Sequence, residues 1–454
     1  MISTIKDFVL ANEDADISDL LLSAKGRYDF DISCAVNTID VRRKLKSKVP
    51  SWYACGDLVF PFRLSGEQCS SEATALYKQK IISGHLPSKG DSLVVDLTGG
   101  LGVDSWAFSK VSSKVLYNEM NEGLAAASKQ NFKYLSADNI HVCSFKVVPS
   151  SQVSGEHVQA ANGIGVSDLV QQGIKSMGLS SGTAPDMIFL DPARRSDSGG
   201  KVFLLEDCSP DVISLKEELL EVSRYVLVKL SPMADISMIL NRLGCHCREL
   251  HVVSAAGECK ELLVLIDRDF CGECDVVVSH VSYRSDCGYS ESSMRFTAVE
   301  TEREKPDYVH SPEELRPGVL LFEPGKSLMK AGPFGALCRR FPIRKIGRST
   351  HYFVLDQNDF SRIVSEKGNL RLESFGKLFM IKEVYPLNNK TLKEVGRKYQ
   401  NAEVTARNLP MDTALFRKKL GVSSGNGIHI FGLKMETGSK SANVIVVTEP
   451  VVSF

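Results

Sequence analysis

Residues 93–104 combine two acids with three closely spaced glycines, a set that can build a ligand site. The segment reads Leu93-Val-Val-Asp-Leu-Thr-Gly-Gly-Leu-Gly-Val-Asp104. It predicts a buried strand that ends at Asp96, a glycine turn, and a helix that starts at Asp104. Glycine allows positive φ and a close approach of a ligand to the backbone, and a helix N-terminus offers unpaired N–H groups. A purely structural turn is the alternative, because a glycine-rich turn alone is a weak signal.

A second acid closes the next apolar run, Lys114–Glu119, and lies 23 residues after Asp96. A carboxylate at this place accepts hydrogen bonds from both ribose hydroxyls of a nucleoside-like cofactor. The glycine spacing, G-G-x-G-x-D, differs from the G-x-G-x-x-G that holds a dinucleotide pyrophosphate, and no nucleoside triphosphate loop is present. Glu119 and the turn therefore indicate a nucleoside cofactor of another kind.

A third acid follows the apolar run Asp186–Leu190, where the chain continues as Asp191-Pro-Ala-Arg-Arg195. Asp191 and the proline-fixed backbone at Pro192 can accept hydrogen bonds from a substrate N–H. The arginines can meet a phosphate or stack on a base. The purely structural alternative is an acid at a strand end that pairs with its neighbouring arginine.

These residues need a sheet to bring them together, and the apolar runs supply one. Six short runs alternate with amphipathic helical stretches, a rhythm that predicts a Rossmann-like, doubly wound, mainly parallel α/β sheet. The runs are Ser92–Leu97, Lys114–Glu119, Asp186–Leu190, Tyr225–Leu230, Arg248–Val253 and Glu261–Ile266. The pattern loosens between Ser144 and Pro185, so a third strand at His157–Ala161, with Asn162 near an adenine, is a guess.

Four regions are predicted along the chain: an N-terminal helical region (1–88), the α/β domain (89–268), and two small α+β domains (269–383 and 384–454). At 454 residues the chain is long enough for two to four domains. No stretch resembles a leader or a membrane span, and the 12 cysteines are too sparse for a disulfide scaffold. We therefore expect a cytoplasmic protein.

The residues quoted above resemble the class I S-adenosylmethionine-dependent methyltransferases. More closely, the chain resembles a bacterial family of these enzymes that ends in a ferredoxin-like domain and a THUMP-like domain. The matching segments span nearly the full length: Glu67-Gln-Cys-Ser-Ser-Glu-Ala-Thr74, Gly200-Lys201, Glu206-Asp-Cys208, Lys229-Leu-Ser-Pro232, Gly257-Glu-Cys-Lys-Glu261, Phe322-Glu-Pro324, Lys330-Ala-Gly332, Arg407-Asn-Leu-Pro410 and Arg417-Lys-Lys-Leu420.

This resemblance implies a methyltransferase that binds S-adenosyl-L-methionine and modifies RNA, either rRNA or tRNA, because THUMP domains bind RNA. It implies a cofactor site made of Asp96, Thr98, Gly99, Gly100, Gly102, Asp104, Glu119 and Asn162. It implies that Asp191 and Pro192 receive the substrate nucleophile, that Arg194 orients it and that Lys229 lines the pocket. No metal is expected, and the oligomeric state is open.

Two departures from related enzymes restrict the chemistry. Amino-directed nucleic-acid methyltransferases usually carry Asp/Asn-Pro-Pro-aromatic, whereas Ala193 and Arg194 stand here. Carbon-directed enzymes need a cysteine nucleophile near this motif or near Lys229, and neither segment has one. The alternatives left open are a catalytically inactive RNA-binding protein that keeps the fold, and a methyltransferase for a protein or small molecule.

Three further clusters need an interpretation. The basic run Asp40–Pro50 predicts either a solvated helix face or a nucleic-acid contact. Six basic residues between Lys330 and Arg348 predict either solvated faces or an RNA surface, as do the consecutive Arg417, Lys418 and Lys419. Cys245, Cys247, Cys271 and Cys274 are more consistent with free thiols than with a zinc site, since Cys-x-Cys is not the usual ligand spacing.

Overall fold

The computed structural model describes residues 4–24, 26–87, 91–153, 163–194, 205, 208–359, 372–425, 427–437 and 440–451. The chain divides into two compact units. The first contains residues 1–255, 260–274 and 281–291, and the second contains residues 256–259, 275–280 and 292–454. The predicted division into four regions remains a prediction.

A nine-stranded sheet is built mainly by the first unit. Its strand order is β13-β12-β10-β11-β9-β6-β1-β2-β3. The five strands from β9 to β3 run parallel, and β11 is antiparallel to β9. The strands are β1 (Leu93–Asp96), β2 (Lys114–Asn118), β3 (Ile140–Cys143), β6 (Met187–Leu190), β9 (Tyr225–Leu230), β10 (Cys247–Ala255), β11 (Glu258–Asp267), β12 (Asp275–Arg284) and β13 (Gly288–Thr297). The Rossmann-like sheet predicted from the apolar runs is confirmed.

Helices connect these parallel strands, as the right-handed crossover rule requires. They are α7 (Val103–Phe108), α8 (Glu122–Tyr134), α9 (Ser150–Val153), α10 (Val166–Ser176), α11 (Val212–Val222) and α12 (Ile236–Leu243), the last followed by a 3-10 turn at Gly244–His246. Two short strand pairs accompany them: β4 (Lys146–Val147) with β5 (Gly163–Ile164), and β7 (Ala193–Arg194) with β8 (Cys208–Ser209).

The third strand differs from the guess made from the sequence. It lies at Ile140–Cys143, where it pairs with β2 at the edge of the sheet. Residues 157–161, proposed for this strand, lie outside the described residues, as does Asn162. The strand was missed in the sequence because Ile140-His-Val-Cys143 is short and only half-buried. The polar segment after Ser144 gave no clear strand pattern either.

The N-terminal helices share a core with the α/β sheet. They are α1 (Ile5–Ala11), α2 (Ile17–Ala24), α3 (Ile32–Lys48), α4 (Pro50–Tyr53), α5 (Arg63–Gln68) and α6 (Glu72–Ser83). Trp52 and Tyr77 from these helices are buried in one apolar cluster with Phe108 and Phe189 of the sheet layer. Such burial removes the helices from water together with the sheet, so residues 1–87 form part of the first unit.

A seven-stranded sheet organises the second unit, in the order β15-β16-β14-β17-β20-β19-β18. Neighbouring strands are antiparallel except for the parallel pair β18 and β19. Its elements are α13 (Ala298–Arg303), β14 (Val319–Pro324), α14 (Lys326–Ala331), α15 (Phe334–Arg340), β15 (Ile343–Lys345), β16 (Phe353–Asp356), β17 (Gly376–Pro386), α16 (Asn389–Lys398), β18 (Glu403–Arg407), α17 (Thr413–Leu420), β19 (His429–Thr437) and β20 (Lys440–Pro450), with 3-10 turns at Pro312–Glu314 and Leu372–Phe375.

Helices α16 and α17 cover one face of this second sheet. Val395 and Phe416 are buried against Ile430 and Ile445 of the strands. The two helices approach each other so closely that a Cβ on Gly396 would lie 1.7 Å from the Leu420 carbonyl oxygen. Within the described ranges, no helix has both the length and the apolar character needed to cross a membrane.

Candidate functional site

Asp96 ends β1 at the carboxyl edge of the parallel strands. Its carboxylate accepts hydrogen bonds from the Thr98 N–H (3.1 Å) and from the Ser105 hydroxyl (2.5 Å). The residue is 1% exposed. Burial raises the pKa of Asp96 to about 7, since desolvation disfavours the charged form more strongly than these two hydrogen bonds favour it.

The glycines of the turn are required for two separate reasons. Gly100 and Gly102 have positive φ, 54° and 94°, a conformation that most side chains disfavour. A Cβ on Gly99 would lie 2.1 Å from a ring carbon of Tyr117, and one on Gly102 would lie 2.5 Å from Phe132. The turn therefore packs directly on two aromatic rings, while the position above Gly100 is open.

Glu119 follows β2 and is hydrogen-bonded to the same glycine turn. One carboxylate oxygen accepts the Gly100 N–H at 2.9 Å, and the other accepts the Asn121 N–H at 2.8 Å. Each carboxylate oxygen has two acceptor sites, so each can still accept one hydroxyl. Asn118, which the sequence did not single out, is buried and fixes this region by donating to the Leu97 and Phe145 carbonyl oxygens.

Asp191 follows β6 and is linked to both neighbours. Its N–H donates to the Thr98 hydroxyl at 2.6 Å, which connects it to the glycine turn. Its carboxylate pairs with Lys229 of β9 at 2.5 Å. Burial lowers the pKa of Lys229, but the attraction of Asp191, Glu261 and Asp104 outweighs burial and raises it. The ion pair with Asp191 therefore favours the charged form of Lys229.

The structure brings most of the predicted site residues to one edge. Asp96, Glu119 and Asp191 lie at the carboxyl ends of the adjacent strands β1, β2 and β6. Asp104 lies in the first turn of α7, and Pro192 follows Asp191. Arg194 has its backbone in β7, but its side chain lies outside the described part, as does all of Asn162.

A buried network of charges extends this site toward the N-terminal helices. Lys78 of α6 is fully buried, and its ammonium lies 2.8 Å from Glu261 and 3.2 Å from Asp104. Ser70 bridges Lys78 and Asp104, since its hydroxyl lies 3.1 Å and 2.7 Å from their polar atoms. Burial raises the pKa of Glu261, and the neighbouring Lys78 opposes that rise.

Sequence reasoning missed this network although signals were present. Ser70 and Glu261 lie inside quoted segments that had no assigned role. Lys78 stands three residues after Ala75 and three before Ile81, in the apolar stripe of α6. A lysine in such a stripe is rarely buried without partners, so its position was the available signal.

Several cations of the basic run Asp40–Pro50 have partners within the N-terminal region. Arg42 is 4% exposed and donates to the Tyr53 and Cys55 carbonyl oxygens. Arg43 donates to the Glu13 and Ala15 carbonyl oxygens, and Lys44 pairs with Asp40 and Glu67. These cations connect segments of the N-terminal region. The basic run alone did not indicate which carbonyl and carboxylate oxygens accept their hydrogen bonds.

The basic segment between Lys330 and Arg348 is largely neutralised. Arg339 pairs with Glu304, Arg340 with Glu300 and Arg344 with Glu314. Lys345 is 2% exposed and donates to the Arg348 carbonyl oxygen. The acids lie upstream of the segment, so counting charges within it overstated the positive surface.

Helices α16 and α17 carry a second group of basic side chains. Lys390, Lys393 and Arg397 recur at i, i+3 and i+7 and are exposed, as are Lys418 and Lys419 on α17. In the part of the chain that the structure describes, none of these five is within ion-pair distance of an acid. We call these five residues the α16–α17 basic surface.

The four cysteines considered for zinc do not gather around one point. Cys245 and Cys271 are exposed, whereas Cys247 and Cys274 are buried. Among the described residues, no three His, Cys, Asp or Glu side chains are grouped so that they could share a metal ion.

The titration of Asp96 gives a test of the site in the absence of any ligand. An unfolded aspartate titrates near pH 4, so between about pH 4 and 7 the folded protein holds a proton that the unfolded chain has lost. The free energy of unfolding of the wild type should therefore fall relative to Asp96→Asn as pH rises, by at most about 1.4 kcal/mol per pH unit. Urea unfolding of both proteins from pH 5 to 8 measures this difference. Parallel curves would contradict the raised pKa.

Comparisons with known proteins give three findings. A family model described as "THUMP domain-like" matches residues 376–450, and one described as "ferredoxin-like domain" matches residues 320–360. A crystal structure described as a "putative methyltransferase from Porphyromonas gingivalis W83" is similar over 99% of this chain and 98% of that chain, with 25% identity and a TM-score of 0.76. No curated protein matched the chain.

Two partial structural matches have low TM-scores. One is an rRNA methylase from Streptococcus thermophilus, with 12% identity over 42% of this chain and 94% of that chain and a TM-score of 0.26. Another is a Streptococcus mutans protein described as a "putative methyltransferase" in complex with SAH, with 12% identity over 42% and 95% and a TM-score of 0.26.

The full-length match and the two family models confirm the resemblance stated from the sequence motifs. The full-length match is described as a "putative methyltransferase", in agreement with the predicted enzyme class. Over nearly its whole length the chain has the fold of that "putative methyltransferase", and it contains segments that match a ferredoxin-like and a THUMP-like domain model.

Proposed function

We propose that this protein transfers a methyl group from S-adenosylmethionine to RNA, either rRNA or tRNA, in the cytoplasm. One observation carries the proposal: Asp96, Glu119 and Asp191 lie at the carboxyl ends of three adjacent parallel strands, β1, β2 and β6. That edge is where open α/β sheets bind their ligands. The THUMP-like match supports RNA as the substrate class.

The residues present fit the cofactor. Glu119 keeps one free acceptor site on each carboxylate oxygen, enough for two ribose hydroxyls. Around Gly100 the nearest atom to a Cβ would be the Thr98 carbonyl oxygen at 3.9 Å, so a ligand can lie against the turn. When bound, the cofactor supplies a methyl group on a positively charged sulfur. A buried Asp96 carboxylate would favour that charge.

Asp191 is the proposed acceptor for the substrate. Lys229 holds one carboxylate oxygen, and we propose that the other, which has no hydrogen-bond donor among the described residues, accepts an N–H from an amine. The Asp191 N–H is fixed by Thr98, so its carboxylate and the cofactor turn are held in one geometry. Holding two reactants in line is the main contribution a protein makes to such a transfer. We propose Pro192 and Arg194 as further substrate contacts.

The cofactor experiment is calorimetric titration with S-adenosylmethionine. We expect micromolar binding by the wild type and at least about a tenfold loss in Glu119→Ala, since two hydrogen bonds to a charged acceptor disappear. Glu122→Ala, an exposed acid three residues later, is the matched control and should bind like the wild type. Circular dichroism checks folding, because Glu119 also holds two backbone N–H groups. Equal affinity in Glu119→Ala, or no binding by folded wild type, would refute the assignment.

Turnover tests the roles of Asp191 and Lys229. With labelled cofactor and RNA from cells that lack this protein, we expect Asp191→Asn and Lys229→Met to lose more than about tenfold in rate. Their cofactor affinity should stay near that of the wild type, because both residues face the substrate. Lys175→Met on the surface of α10 is the control. A binding-competent wild type that methylates no RNA would favour the inactive RNA-binding alternative, or a protein or small-molecule substrate.

The α16–α17 basic surface is the proposed RNA contact. Each exposed cation that meets a phosphate releases counterions and strengthens binding. In a filter-binding assay with bulk tRNA and rRNA at fixed salt, we expect Lys390→Glu/Lys393→Glu/Arg397→Glu to weaken binding by more than about tenfold. A second variant, Lys330→Glu/Arg348→Glu, reverses two charges in the segment between Lys330 and Arg348 and should lose far less. The opposite ranking would move the RNA surface to that segment.

A further inference from the structure

We propose that Cys245 and Cys271 form a redox-active dithiol site, which a low-molecular-weight disulfide such as glutathione disulfide oxidises to an intramolecular disulfide bond. This site lies outside the residues assigned to methyl transfer, and the inference does not rest on the proposed function. It rests on the relative position of two segments of the first unit.

The two segments run past each other so that the cysteines face one another. Cys245 lies in the 3-10 turn before β10, and Cys271 lies four residues after the end of β11. The Gly272 N–H donates to the Cys245 carbonyl oxygen at 3.4 Å, and His246 Nδ1 lies 2.9 Å from the Phe270 carbonyl oxygen. Contacts between 245 and 272 and between 246 and 270 place 245 opposite 271.

Disulfides require Cα atoms about 4.4–6.8 Å apart, and the two segments lie within hydrogen-bonding distance of each other on both sides of this pair, at 245 with 272 and at 246 with 270. The Cys245 side chain also acts on Cys271, whose pKa it raises. The bond can therefore form without a large movement of either backbone segment.

Exposure separates this pair from the neighbouring cysteines. Cys245 and Cys271 are both exposed, so a dissolved disulfide can reach them. Cys247 and Cys274 are buried, and burial raises the pKa of Cys247 to about 12. Because the thiolate is the reactive form, burial makes Cys247 less reactive than an exposed thiol. Cys287 is also exposed and serves as an internal comparison.

The reaction balances in two exchange steps. One protein thiolate attacks a sulfur of glutathione disulfide, which breaks its S–S bond, forms a mixed disulfide and releases one glutathione. The second protein thiolate attacks the protein sulfur of the mixed disulfide and releases the second glutathione. The protein loses two electrons and two protons, and the oxidant becomes two thiols.

The bond would close a loop that contains β10 and β11, adjacent strands of the large sheet. Glu261 of β11 contacts the buried Lys78, so the cross-link would clamp the strand that supplies an acid to the charge network. Oxidation therefore acts on a strand pair of the first unit and not on a peripheral loop alone.

The test uses the reduced full-length protein in glutathione buffers of increasing oxidised fraction, quenched by alkylation and read by mass spectrometry. We expect a loss of 2 Da in the unalkylated pair and a cross-linked peptide that joins Cys245 to Cys271, reversed by a dithiol reductant. In Cys245→Ser and Cys271→Ser, we expect no intramolecular bond and a glutathione adduct on the remaining cysteine. Cys287→Ser should behave like the wild type.

Full alkylation of Cys245 and Cys271 in the most oxidised buffer would overturn the proposal. A cross-link to another cysteine, such as Cys274, would also overturn it. Since the wild-type measurement needs no substitution, misfolding of a variant cannot produce either result.

Discussion

Lys78 is a fully buried cation, and the geometry of the site depends on how its charge is compensated. A buried charge is tolerated only when partners replace the lost water. Three segments provide them: the turn before α6 provides Ser70, α7 provides Asp104 and β11 provides Glu261. Removing either acid would leave the buried cation with one carboxylate partner and fewer hydrogen bonds, so the three segments hold each other in place.

This constraint links the N-terminal helices to the catalytic edge. Asp104 and Glu261 attract Lys229 as well, and Lys229 pairs with Asp191. The chain of charges therefore runs from α6 to the residue that we propose receives the substrate. The N-terminal helices, which the sequence predicted as a separate region, therefore help to hold the site in place.

Much of the fold could be predicted because its signals are local. Apolar runs that end in acids located β1, β2 and β6, and the glycine turn located the ligand edge. The third strand was missed because its four residues are half-buried and the following segment has no clear period. The acids at 300–314 that pair with Arg339, Arg340 and Arg344 come from other elements, and no local charge count can show such pairing. The partners of Lys78 could not be predicted without knowing which strand packs on α6.

The contact between Gly99 and Tyr117 has an evolutionary consequence. The ring fills the volume that a side chain at 99 would need, and its hydroxyl donates to the Gly100 carbonyl oxygen at 2.5 Å. A larger residue at 99 is therefore compatible only with a smaller one at 117, and a lone change at either position loses packing or creates a clash. In descendants of this chain the two positions should change as a pair or not at all.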